Sequence, residues 1–175
     1  MRLPPLPADE WDERSRAALR SLLPRERRDP AGAGPAMSTL VRHPDLTEAF
    51  LGFGVYLLFR SSLPPRVREL VILRVAHRTR CAYEWAHHVK MAASVGLDED
   101  DIAAAQAGKA DDPFDHAVLT GVDQLCEGAN LSDEIWSALR THLSEQQTMD
   151  FVFTVGGYST LALAFNTFGV EPDVH

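Results

Sequence analysis

Apolar residues recur at helical spacing along almost the whole chain. No segment shows the sustained apolar/polar alternation of a half-buried strand, and no Asn-Gly or Asp-Gly pair marks a hairpin. The pattern predicts an all-α fold, divided by cap and proline signals. Residues 9–23 read as a first amphipathic helix with Trp11, Ala18, Leu19, Leu22 and Leu23 on its apolar side. Pro24 to Pro35, with three prolines and two glycines, reads as a linker or as an arm laid over a neighbouring subunit.

Beyond a short helix near 36–42, the signals sharpen. His43-Pro44-Asp45 opens a helix through Phe50, Phe53, Tyr56, Leu57 and Phe59 that ends near Ser61-Ser62. Pro64-Pro65 fits the first turn of a helix over 65–77, where a missing N–H costs nothing. Val67, Leu70, Val71 and Val75 form its apolar face, and Glu69 lies close to that face. Thr79 is the expected N-cap of a helix over 80–95, stopped by Gly96. Asp98 caps 99–107, and further helices fall at 113–128, at 133–142 behind Ser132, and at 145–168 behind a Ser144/Gln147 capping box.

Composition narrows the class. The chain has 175 residues, 45% hydrophobic, enough for one globular domain over 1–175 with residues 1–35 as a helical extension and linker. With 25 acidic against 17 basic residues, the formal charge is −8, which argues against nucleic acid and anionic membrane surfaces as partners. Two cysteines 45 positions apart, Cys81 and Cys126, form neither a disulfide framework nor a four-thiolate zinc site, and reduced thiols are expected. The start, MRLPPLPADEW, lacks an apolar signal core, so a cytoplasmic location is expected. Phe151 to Val170 carries no charge over 20 residues, a membrane-spanning length. Its Gly156-Gly157 pair, Thr154, Ser159, Thr160, Asn166 and Thr167 favour a buried core helix instead.

The segment from Arg68 to His88, RELVILRVAHRTRCAYEWAHH, carries the chemistry. On one helix Cys81, Glu84 and His88 are spaced i, i+3 and i+7, so a thiol, a carboxylate and an imidazole share a face. Glu84 and His88 can hydrogen-bond, which favours the imidazolium, and a helix N-terminus would stabilise a Cys81 thiolate. His77 joins that stripe only if the helix is unbroken through 79. The same spacing also fits a solvated Glu/His pair and a cysteine that acts as a small buried hydrophobe. Trp85 reads as core or interface, and Cys126 as structural, with Ala117, Val118, Leu119, Val122 and Leu125 around it. His77, Cys81, Glu84, His87 and His88 are usable metal ligands, but His87 sits about 100° round the helix from His88, and no HExxH motif occurs, so neither metal nor cofactor is expected.

These residues resemble the carboxymuconolactone decarboxylase-like and alkylhydroperoxidase D-like proteins. The resemblance runs over 66–108, through Glu69, Cys81 and the CAYEWAHH block, and returns in the tail LALAFNTFGVEPD. It implies an alkylhydroperoxidase D-like helical bundle, assembled as a trimer or hexamer, with a small-molecule substrate. In the peroxidase branch the motif is a glutamate, Cys-x-x-Cys and a histidine four residues beyond the second cysteine. Glu69, Cys81 and His88 fall on those positions, while Glu84 occupies the second cysteine's place and cannot form its disulfide. The decarboxylase branch implies acid–base chemistry on a small carboxylated lactone or related organic acid. His88 would then be the proton donor, with Glu84 and Glu69 in its network and Arg68, Arg74, Arg78 and Arg80 as candidates to bind substrate anions. The candidate catalytic residues are thus Glu69, Cys81, Glu84 and His88. Two alternatives remain: a one-cysteine peroxide-reducing antioxidant protein using Cys81, and a non-catalytic member whose Glu/His network stabilises the fold.

Overall fold

The computed structural model describes residues 1–172, which are all helix, turn and loop. Nine α-helices follow one another: α1 (Glu13–Ala18), α2 (Pro30–Leu40), α3 (Pro44–Val55), α4 (Pro65–Arg78), α5 (Ala82–Ala92), α6 (Glu99–Ala107), α7 (Pro113–Gly128), α8 (Asp133–His142) and α9 (Glu145–Phe168). The chain divides into two compact units, Ser61–Leu163 and the flanking segments on either side of it.

In the flanking unit the first helix is shorter than the sequence suggests. Asp12 caps α1 through Ser15 N at 2.8 Å, and α1 ends at Ala18. The expected apolar residues nonetheless build the core, where Trp11, Ala18 and Leu19 meet Ala33, Val41 and Leu51. The proline-rich stretch is not a free linker. Asp29 accepts from Gly32 N at 2.8 Å and Pro30 takes the first turn of α2, a cap-plus-proline start. Gly34, at φ +69°, then kinks α2 just before Pro35, so the helical period breaks in the middle and hides the element. His43 caps α3 as anticipated, its Nδ1 accepting from Leu46 N at 3.3 Å, and a π-helical turn over Tyr56–Arg60 carries the chain onward.

The unit Ser61–Leu163 is organised around α4. From Glu69 to Ala76 every residue of α4 is buried, with α5, α6 and α7 packed against it. Such all-round burial fits a central helix rather than an amphipathic surface one. Arg74, 5% exposed, lies within this core. It forks onto both oxygens of Asp123 at 2.7 Å and caps the carbonyls of Ala105 (3.0 Å) and Gln106 (2.8 Å) at the end of α6. Asp98 and Asp101 close a capping box at the start of α6, and Ser144 with Gln147 closes the one before α9.

α9 is less enclosed than a core helix. It is the one helix among the described residues long and apolar enough to cross a membrane, by length and composition only, and 39% of its apolar window is buried. Phe151, Thr154, Val155, Tyr158, Ala162 and Phe165 point inward, while Met149, Phe153 and Leu163 are exposed.

Candidate active site

The α4–α5 connection sets the geometry. Thr79 ends α4 rather than starting α5: its Oγ1 donates to Val75 O at 2.7 Å, where it competes with the backbone for a helix carbonyl. Arg80 takes a left-handed conformation at φ +55°, and Cys81, the actual N-cap of α5, donates its N–H to Ala76 O at 2.9 Å. The helix is therefore broken at 79, and His77 belongs to α4, edge-on to Trp85 at 5.8 Å between ring centroids. The chain folds back at this turn, bringing Glu69, near the start of α4, beside His88, near the end of α5.

His88 sits between two carboxylates. Its Nδ1 meets Glu69 Oε2 at 2.6 Å, and its Nε2 meets Glu84 Oε2 at 3.3 Å. Glu69 is fully buried, Glu84 5% exposed and His88 4% exposed. The i, i+4 partner expected from sequence is present, but the closer contact comes from the neighbouring helix. Burial pulls the imidazolium down, but the hydrogen bonds and charges of Glu69 and then Glu84 outweigh it, and its pKa rises to about 9. Arg68 Nε donates to Glu69 Oε1 at 3.3 Å and extends the network. Tyr158 from α9 sets its ring edge-on to His88, at 5.2 Å between centroids and 86° between planes.

Cys81 is 1% exposed. Burial pushes its thiol up, more than the amide N–H groups of Glu84 and Tyr83 pull it down, and the Glu84 charge adds to the rise. The expected stabilisation of a thiolate by the helix end is present but loses to desolvation. Cys126 is not packed among the apolar residues of α7. It is exposed, because the buried stripe of α7 runs from Asp115 to Val122 and the last turn turns outward. Of the four arginines read as anion binders, Arg74 is committed to Asp123, and Arg78 to Asp123 and Glu127. Arg80 is at the surface, and Arg68 alone of the four joins the His88 cluster. His87 stacks on Tyr83 at 4.2 Å. Among the described residues no group of three His, Cys, Asp or Glu side chains is placed to hold a metal ion.

Residues 44–125 match the family model described as "Carboxymuconolactone decarboxylase family". The match covers 82 of the 175 residues and takes in Glu69, Cys81, Glu84 and His88. Solved structures agree on the fold. The alkylhydroperoxidase AhpD core of an uncharacterized peroxidase-related protein from Ralstonia eutropha JMP134 superposes with a TM-score of 0.75 at 21% identity, covering 99% of this chain and 94% of that one. The debrominase Bmp8, in its apo form, superposes with a TM-score of 0.73 at 16% identity, covering 98% of this chain and 92% of that one. A cysteine-to-alanine variant of Bmp8 in complex with 2,3,4-tribromopyrrole gives 0.72 at 16%, covering 99% and 92%. No curated protein matches the chain.

Within the segment that matches the family model, Glu69, Glu84 and His88 form one bonded cluster, with Cys81 at the head of the helix that carries two of them. Sequence reasoning missed Tyr158. Its signal was a hydroxyl on the stripe Phe151, Val155, Tyr158, Ala162 and Phe165, otherwise apolar and spaced at helical intervals.

Proposed function

We propose that the protein is a small enzyme performing acid–base chemistry on a small carboxylated lactone or related organic acid, with His88 as general acid. The observation that supports this best is the unequal grip on one buried imidazolium. Nδ1 is held tightly by Glu69 at 2.6 Å, whereas Nε2 has a looser contact with Glu84 at 3.3 Å. Nε2–H is then the proton that transfers. As a carboxylated substrate loses CO₂, the electron pair of the breaking C–C bond moves into the adjoining unsaturated system as an enolate. His88 protonates the carbon, becomes neutral imidazole, and regains a proton from solvent through Glu84. Glu69 does not exchange its proton partner; it fixes the ring and keeps the site charged.

The test is turnover of carboxymuconolactone across pH. Activity that depends on the acid form of His88 is expected to fall as pH rises through about 9. His88→Gln is expected to lower kcat by 10²-fold or more, on the scale of lost general-acid catalysis. A full rate in that variant refutes the assignment.

A second reading places the reaction on Cys81. There a hydroperoxide oxidises the sulfur to sulfenate, the O–O bond breaks to release an alcohol, and an external thiol restores the cysteine. Its support is the position of Cys81 at the N-terminus of α5 beside Glu84, together with the cysteine replaced in the Bmp8 complex. Burial and the raised thiol pKa weigh against it. Cys81→Ser separates the two, since it removes peroxide turnover and leaves acid–base turnover largely intact. We further propose a homo-oligomer, on the strength of the exposed apolar residues of α9.

A further inference from the structure

Two side chains around the His88 cluster, Tyr158 against the imidazole ring and Arg68 on its partner Glu69, have donor capacity that the protein does not use. Tyr158 is 8% exposed, yet its hydroxyl makes no hydrogen bond with any described group. Among the described residues, the Ser61 hydroxyl is the only sealed side-chain polar atom left unpaired. The Tyr158 hydroxyl therefore keeps a small opening to solvent, which a small molecule can use. Arg68 is similarly placed: only its Nε is engaged, by Glu69 at 3.3 Å, and both Nη groups lack a partner among the described residues while its side chain is 12% exposed.

We infer that the Tyr158 hydroxyl and the Arg68 Nη groups together bind a carboxylate of the substrate, beside the imidazole of His88. The inference rests on the acid–base reading above and names how that substrate is held. Both are shielded donors that still reach solvent, so a ligand can take them up without displacing a protein partner. The chemistry selects an anion. A guanidinium has no acceptor, and the phenol, kept neutral, retains an O–H to donate. Burial pushes the Tyr158 pKa well above 10, the charges of Glu84 and Glu69 push it further, and Arg68 draws it back in part, so the hydroxyl lies within electrostatic reach of all three. A neutral phenol donating to a carboxylate, with a guanidinium fork alongside, is a charge-assisted arrangement. It also offsets the repulsion that Glu69 and Glu84 would otherwise exert on an anionic substrate. An uncharged ligand gains little from such a pair.

Binding of muconate, a small unsaturated dicarboxylate, measured by calorimetry on the intact protein, tests the subsite, with its dimethyl ester as the uncharged comparison. Saturable binding of muconate is expected, with the ester at least tenfold weaker. Tyr158→Phe keeps the ring against His88 and removes only the hydroxyl. It is expected to weaken muconate about tenfold while leaving the melting temperature unchanged. Arg68→Gln should weaken muconate further, but it also removes the Glu69 ion pair, so Tyr158→Phe carries the decision. Wild-type protein that does not bind muconate, or binding that is indifferent to the ester or to Tyr158→Phe, overturns the inference. Tyr158-dependent muconate binding without carboxymuconolactone turnover keeps the subsite and removes the proposed reaction. Turnover with an unchanged KM in Tyr158→Phe does the reverse.

Discussion

His88 couples chemistry to stability. Its pKa in the folded chain is raised to about 9 from an ordinary 6.5, so its contribution to folding is fully present below pH 6.5 and is lost as pH rises through about 9. At about 1.4 kcal/mol per pKa unit, roughly 3 kcal/mol is at stake, and a chain of this size should lose roughly 5–10 °C of melting temperature between pH 6.5 and 9.5. A melting curve flat over that interval would contradict a charged His88. Glu69→Gln removes the closer carboxylate and should bring the His88 titration, followed by NMR of its ring protons, to a lower pH. The cysteines offer a second check at this scale. Cys126 is exposed and Cys81 is not, so a thiol reagent followed by intact mass should add one label to the native chain quickly and the second only on unfolding. Rapid double labelling would show that Cys81 is open. The i, i+4 relation of Glu84 and His88 was legible in the sequence, because helical spacing is local information. The 2.6 Å contact from Glu69 spans 19 positions and depends on the turn at Arg80, which spacing cannot reveal.

At the scale of elements, caps carry most of the legible information. From His43 to α9, apart from the start of α5, the helix starts follow side-chain caps or first-turn prolines that can be read directly. The start of α5 was misplaced, because Thr79 has cap chemistry but uses it on the carbonyl of Val75. The N-terminal region was read least well, since Gly34 interrupts the period of α2 and its prolines mimic a linker. The end of α6 tests whether local backbone or tertiary contact dominates. Gly108 (φ +72°) and Gly96 (φ +84°) both occupy the left-handed region, where a β-carbon is disfavoured. A β-carbon at 96 meets open space, whereas one at 108 collides with the guanidinium of Arg74. Gly96→Ala is therefore expected to cost about 1 kcal/mol and Gly108→Ala about 2–4 kcal/mol, read from urea midpoints. Equal losses would mean that Arg74 can move aside, and that its grip on Asp123 and the end of α6 is not what holds α6 to α4.

For the whole molecule, α9 carries the remaining question. Met149, Phe153, Gly156, Thr160 and Leu163 are all exposed and fall at spacings of four, three, four and three, which places them on one stripe of the helix. Three of the five are large and apolar, at 61%, 54% and 69% exposure, and nothing lies within 4 Å of where a β-carbon would stand on Gly156. Large and small residues alternating along one stripe suit close helix–helix approach between copies of the chain, and burying about three such side chains would contribute roughly 5 kcal/mol per subunit before association entropy. The uncharged stretch that resembled a core helix thus has one buried face and one with large exposed apolar side chains. Light scattering is expected to return a mass of at least three times the 19.4 kDa chain, as expected for a trimer or hexamer. Phe153→Glu, which sets a charge in the middle of the stripe, should shift that mass toward the single chain without changing the helical circular dichroism. A wild-type mass of 19.4 kDa would end the oligomer proposal. A Phe153→Glu variant that stayed assembled would move the interface off α9 and leave its apolar stripe to be explained by another partner.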